Sequence, residues 1–157
     1  MRVVVDTNVL VSGLISPFGP PGVIVGLAAR GALQLCYDAR IIAEYRSVLE
    51  RPAFAFRLGD IETLLSRIGA GGVSVAPVPL PDRLPDAGDE PFLEVAVAAH
   101  AAFIVTGNLK HFPTDRRCGI RVVSPREFLG AGLLQSSAVR HDDATPAHND
   151  RTEDGER

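Results

Sequence analysis

Cysteine is scarce. Among 157 residues only Cys36 and Cys118 occur, neither in a Cys-x-x-Cys motif nor beside a histidine pair at ligand spacing. That excludes a disulfide framework and a thiolate zinc site, and two buried free thiols are expected. No apolar run approaches the roughly 20 residues that a membrane-spanning helix needs, and the N-terminal segment lacks the features of a secretory signal. A soluble, cytoplasmic protein with no membrane partner is expected. Missing too are the glycine loops that cradle nucleotide phosphates and the Gly-x-Ser-x-Gly elbow of a serine hydrolase. Lysine is represented once, by Lys110, among 16 basic residues; the bias carries no mechanism.

What is present suffices for one packed core: 46% of residues are hydrophobic and 22% charged, which at this length predicts a single domain over residues 1–134. The segment 135–157 holds almost no large apolar side chains and reads as a disordered polar tail. Without it, the 16 basic and 19 acidic residues fall to 13 of each. A neutral body argues against a protein that coats nucleic acid, while leaving room for a local basic patch.

Arg2-Val-Val-Val-Asp6 is a β-branched run ending on an acid, as a fully buried parallel strand does. Helical spacing follows over residues 20–30, closed by Gly31. Leu33–Tyr37 reads as a second strand and Asp38 as the cap of a helix with Ile41, Ile42, Tyr45, Val48 and Leu49 on one face. A helix over 57–68, a third strand at Val73–Val75, a proline-rich acidic loop from Ala76 to Asp89 and a largely apolar helix over 90–101 come next. Phe103–Thr106 and Arg121–Val123 complete the strands, and Ser124-Pro-Arg-Glu127 is a capping box that opens a last helix. Strands alternating with helices predict an α/β sandwich around a parallel sheet of about five strands.

In such a sheet ligands bind beyond the carboxyl ends of the strands, where Asp6 and Asn108 stand. Asp6 reads either as a site residue or as a cap of the following helix. Glu44 lies at the border of its helix's buried face, a cleft residue or an ordinary boundary glutamate. Asp86, Asp89 and Glu90 precede the apolar helix, where Asp89 and Glu90 suit its dipole without further function. Taken together, acids brought to one sheet end repel unless a cation sits between them. Oxygen ligands select magnesium or manganese over zinc, and such ions serve attack on a phosphodiester. An aspartyl phosphatase would want a second acid where Asn8 stands. His100 reads as a core histidine and His111 as a contact near phosphate or metal. Lys110, Arg116, Arg117, Arg121 and Arg126, against the single acid Asp115, form the main local excess of positive charge, a phosphate grip or a solvated surface.

Five segments resemble, in order, those of the PIN domain, and within it the toxins of bacterial toxin–antitoxin pairs: Val-Val-Val-Asp6-Thr-Asn-Val-Leu-Val-Ser-Gly, Ile-Ile-Ala-Glu44-Tyr-Arg-Ser-Val-Leu, Asp89-Glu-Pro-Phe-Leu-Glu-Val-Ala, Phe-Ile-Val-Thr-Gly-Asn108-Leu-Lys-His-Phe and Val-Val-Ser-Pro-Arg-Glu-Phe-Leu. The resemblance, over about residues 2–130, implies a three-layer α/β/α sandwich and a Mg2+- or Mn2+-dependent endoribonuclease silenced by an antitoxin protein. It implies that Asp6, Glu44 and either Glu90 or Asp89 hold the metal, with Asn8 and Thr106 orienting the carboxylates; the local basic charge makes Lys110, Arg116 and Arg117 the expected RNA contacts. The family's fourth acid falls at Asn108, which brings an oxygen but no charge. That departure implies weaker binding of a second metal, or a PIN fold that binds RNA or protein without cutting. A homodimer through Gly13-Leu-Ile-Ser-Pro-Phe18 is a further expectation.

Overall fold

The structure, a computed structural model, describes residues 1–131; the expected tail at 135–157 lies outside the described residues. Five strands, β1 (Arg2–Val5), β2 (Gln34–Tyr37), β3 (Val73–Ser74), β4 (Phe103–Val105) and β5 (Arg121–Val123), form one sheet in the order β3-β2-β1-β4-β5. Every pairing is parallel, with Val3 opposite Leu35 on one side and Phe103 on the other. Parallel neighbours need crossovers, supplied here by α1 (Thr7–Ile15), α2 (Pro20–Ala29), α3 (Ala39–Leu49), α4 (Leu58–Gly71) and α5 (Glu90–Ala99). A last helical stretch occupies 125–131. The result is the expected α/β/α fold with a five-stranded parallel sheet.

Central strands are covered on both faces, and their composition follows. Val3, Val4, Val5, Phe103, Ile104 and Val105 are wholly inaccessible to solvent, each such burial contributing roughly 1.5–3 kcal/mol. α5 supplies much of the cover with Phe92, Leu93, Val95 and Ala96. Its apolar residues run around the helix because it packs against β1, β2 and β4 together. α3 is amphipathic, burying Ile41, Tyr45 and Leu49; the Asp38 carboxylate accepts the Ile41 N–H at 3.1 Å, so its expected cap is present. Where α1 and α2 cross, a Cβ on Gly13 would lie 2.9 Å from the Pro21 carbonyl, and one on Gly22 would overlap the Pro17 carbonyl. Glycine permits that approach.

Chain direction decides where the site lies. From β1 the chain winds outward through β2 to β3, then returns across β2 and β1 to β4 on β1's other flank. Crossovers running in opposite directions leave a crevice between the ends of β1 and β4, the switch point of an open α/β sheet. Asp6 follows β1 directly, and Thr106 follows β4.

Several local expectations are corrected. Cys36 is buried but Cys118 is exposed, in a left-handed turn at φ 52° ahead of Gly119. His100 is exposed rather than a core residue: at φ 51° it ends α5 two residues earlier than expected, and the Ala101 N–H turns back to the Ala96 carbonyl. No single helix among the described residues is long and apolar enough to cross a membrane; α1 and α2 are apolar as a pair but bend by 102° at their junction. In the expected dimer segment Ile15 is exposed and Phe18 is 98% exposed.

Candidate active site

At the switch point, Asp6, Thr7, Asn8, Glu44, Arg51, Asp86, Asp89 and His111 line a cleft of about 420 Å3. Asp6 is buried and stands before α1, yet its side chain caps nothing, which removes the capping reading. Instead the hydroxyl of the inaccessible Thr106 donates to Asp6 Oδ2 at 2.8 Å, and Asn8 Nδ2 approaches the same oxygen at 3.5 Å. Asn8 Oδ1 accepts the Gly107 N–H at 3.1 Å. One asparagine thus ties the end of β4 to the start of α1, beside the carboxylate.

α3 is held to this edge through Tyr45. The fully buried ring places its hydroxyl on the Val5 carbonyl, one residue before Asp6, and burial among carboxylates pushes the phenol well above its ordinary range. Its neighbour Glu44 therefore faces the cleft, with Oε2 accepting the Thr7 hydroxyl at 2.6 Å. Val48 and Arg51 extend the same wall. Val48, four positions after Glu44, shares its helical face, whereas Arg51 lies past the end of α3 in extended backbone, so helical spacing carried no signal for it.

Sequence left Asp89 and Glu90 open; the structure separates them. Asp89 ends a 3-10 turn, Ala87–Asp89, and is buried in the cleft without capping α5. Glu90 turns away, into a groove with Arg40, Arg83 and Glu94, its Oε1 3.9 Å from Arg83. The same groove holds Arg40, which bridges Asp38 and Glu94 at 2.7 Å each and fastens α3 to α5.

Ligand atoms of Asp6, Asp89 and His111 all lie within 4.8 Å of one another. Glu44 lines the cleft outside this trio, although its charge is felt at Asp89. Burial pushes the Asp6 carboxyl up, against the pull of the Thr106 hydrogen bond. Asp89 is pushed up to about 6, chiefly by burial, with Asp6, Asp86 and Glu44 adding repulsion and His111 opposing it. Asp89 Oδ2 is buried and meets no hydrogen-bond donor; His111 Nδ1 is 3.4 Å away. A buried carboxylate oxygen without a donor is costly. Two such acids, one with an orphaned oxygen, fit a hard dication, which takes oxygen ligands. The atoms that converge here are carboxylate oxygens of Asp6 and Asp89 and one ring nitrogen of His111.

The remaining expected residues divide. Asn108 is exposed and does not line the cleft; its Oδ1 accepts the Lys110 N–H at 3.2 Å and its Nδ2 meets His111 Nε2 at 3.0 Å. Lys110 is exposed beside the site. Arg116 donates to the Arg83 carbonyl and Arg117 to the Phe112 carbonyl at 2.8 Å, so both are engaged in holding loops.

The family model described as the PIN domain matches residues 2–110, from β1 through the turn that carries Lys110. Comparison with curated proteins and with solved structures gave no match. With its five-stranded parallel sheet, its clustered acids at the switch point and this match over most of its length, the chain belongs to the PIN-domain family, a nuclease fold.

Proposed function

We propose that the protein is a Mg2+- or Mn2+-dependent endoribonuclease, acting as the toxin of a toxin–antitoxin pair. The observation that carries the reading is the meeting of Asp6 and Asp89 in one cleft, with a buried Asp89 oxygen that no donor satisfies. Asp6 and Asp89 would hold the cation, with Glu44 adding a third negative charge on the facing wall. A bound dication supplies charge stabilisation for an in-line attack on phosphorus and makes water a better nucleophile. Thr106 and Asn8 keep the Asp6 carboxylate turned into the cleft, as ligands of a metal must be held. Lys110 at the rim and Arg51 on the wall offer positive charge to the RNA backbone. Hydrolysis joins the water oxygen to phosphorus, breaks one bridging P–O bond and returns a proton to the departing sugar oxygen.

Asp6→Asn is expected to abolish divalent-dependent RNA cleavage while leaving the protein folded; cleavage that persisted in this variant would refute the assignment. The second reading, a binding module without cleavage, draws on the missing fourth acid at Asn108, and is favoured if RNA binds with no metal-dependent turnover. The toxin role and an antitoxin partner follow from the motif resemblance, and a small DNA-binding protein encoded next to this gene is the expected sign. A homodimer through Ile15 and Phe18 belongs to the same reading, with sedimentation as its check.

A further inference from the structure

We infer that His111 is a direct ligand of the divalent cation held by Asp6 and Asp89, positioned by the Asn108 amide, and that this nitrogen turns the site toward Mn2+ over Mg2+. The inference rests on the cation-site reading above and adds to it a ligand that is not an acid.

Placement comes first. His111 lies in the 3-10 turn Leu109–His111 and offers a ring nitrogen within 4.8 Å of the Asp6 and Asp89 oxygens. Nδ1 is the nitrogen facing Asp89, 3.4 Å from Oδ2, the oxygen that lacks a donor. That distance is long for a hydrogen bond and leaves the two atoms as adjacent ligands with a gap between them. Asp89 is only 7% exposed, so its carboxylate has little water to turn to.

The Asn108 amide then decides what the imidazole does. Asn108 Oδ1 accepts the Lys110 N–H at 3.2 Å, which places Nδ2 as the amide atom that donates to His111 Nε2. Without a cation, Nε2 accepts and the ring proton sits on Nδ1, aimed at Asp89. Ligation by Nδ1 requires the other tautomer: Nδ1 loses its proton, Nε2 gains one, and the Asn108 amide turns over so that Oδ1 accepts it. Lys110 is exposed and its N–H passes to water. An amide can serve both tautomers because it carries a donor and an acceptor; a carboxylate could only accept, and would hold the ring permanently in the ligating form. Asparagine at this position is therefore a positioning residue, which accounts for the missing acid. Imidazole nitrogen suits transition dications, whereas Mg2+ takes oxygen.

The test uses the full chain with Mn2+ as probe. Electron spin-echo modulation of bound Mn2+ is expected to show coupling to one imidazole 14N, and His111→Ala to remove it. In competition titrations the same variant should lower the preference for Mn2+ over Mg2+ about tenfold, with Mg2+ affinity nearly unchanged. His111 has a half-exposed side chain, and an unchanged melting temperature confirms that the variant folds. Asn108→Asp should keep the nitrogen coupling and tighten Mn2+; Asn108→Ala should weaken it. Mn2+ bound to the native chain without nitrogen coupling overturns the inference and leaves the acid site standing. Mn2+ failing to bind at all overturns both.

Discussion

Asp89 should be a residue whose removal stabilises the cation-free protein and whose presence stabilises the loaded one. In the fold its carboxyl is pushed up to about 6 from an ordinary 3.8. Because the folded value lies above the unfolded one, the unfolded chain gives up its proton first. Stability is therefore lost as pH rises from about 4 to above 6, the reverse of a salt-bridged aspartate. A gap of about two units corresponds to about 3 kcal/mol at pH 7.5, falling to about 1 kcal/mol at pH 4.5 as the folded carboxyl protonates. Asp89→Asn removes the charge and keeps the shape. With chelator at pH 7.5 the variant should be more stable by roughly 1–3 kcal/mol, a rise in melting temperature of about 3–10 °C, and the gain should shrink at pH 4.5. With Mn2+ at 100 times its dissociation constant, the native chain gains about 2.7 kcal/mol while the variant, short of one anionic ligand, gains less, so their order narrows or reverses. Thermal unfolding of both chains with and without metal, at the two pH values, reads all four quantities. A variant less stable than the native chain in chelator at pH 7.5, or a difference that ignores pH, would refute the electrostatic account of the cleft.

Thr106→Val removes the hydroxyl that donates to Asp6 Oδ2; metal affinity should fall roughly 10–100-fold by calorimetry, with a stability loss of about 1–3 kcal/mol. Tyr45→Phe takes the buried hydroxyl from the Val5 carbonyl and should cost about 1–3 kcal/mol in urea unfolding; a smaller effect would mean that Tyr45 does not anchor α3 to β1. Thiol titration of the native protein should find one fast cysteine, Cys118, and a second, Cys36, that reacts on unfolding. Two slow thiols would restore the expectation from sequence.

Much of the fold was legible because the strongest signals in the chain are local. Val3-Val4-Val5 and Phe103-Ile104-Val105 are continuous apolar runs because both faces of the sheet are covered, and the polar residue ending each run marks the sheet edge. Asp38 could be read as a cap because its partner is three residues away. Boundaries were less legible where a tertiary choice sets them. His100 ends α5 by entering a left-handed conformation, and nothing in an alanine-rich helix followed by Ala101-Ala102 announces that. β3 covers Val73–Ser74, opposite Cys36 and Tyr37, one residue shorter than expected, with the Val75 N–H still reaching the Tyr37 carbonyl at 3.0 Å.

Site residues divide along the same line. Adjacent residues on a helix point about 100° apart, so either Asp89 or Glu90 could face the cleft, never both. The choice belongs to the 3-10 turn Ala87–Asp89, held by the Asp86 carboxylate on the Gly88 N–H at 2.8 Å, which turns Asp89 inward and leaves Glu90 to the groove with Arg83. His111 follows a similar logic with an earlier clue. An asparagine side chain that accepts the N–H two residues on makes a tight local turn, and Asn108 does so with Lys110. Such a turn brings the third residue back beside the asparagine, so the spacing Asn-Leu-Lys-His allows an imidazole to meet the amide once the turn forms. What the sequence could not supply was the depth of Asp89 beneath it. That depends on α5 packing across β1 and β4, and it makes His111 a neighbour of a buried anion instead of one more exposed histidine on a loop.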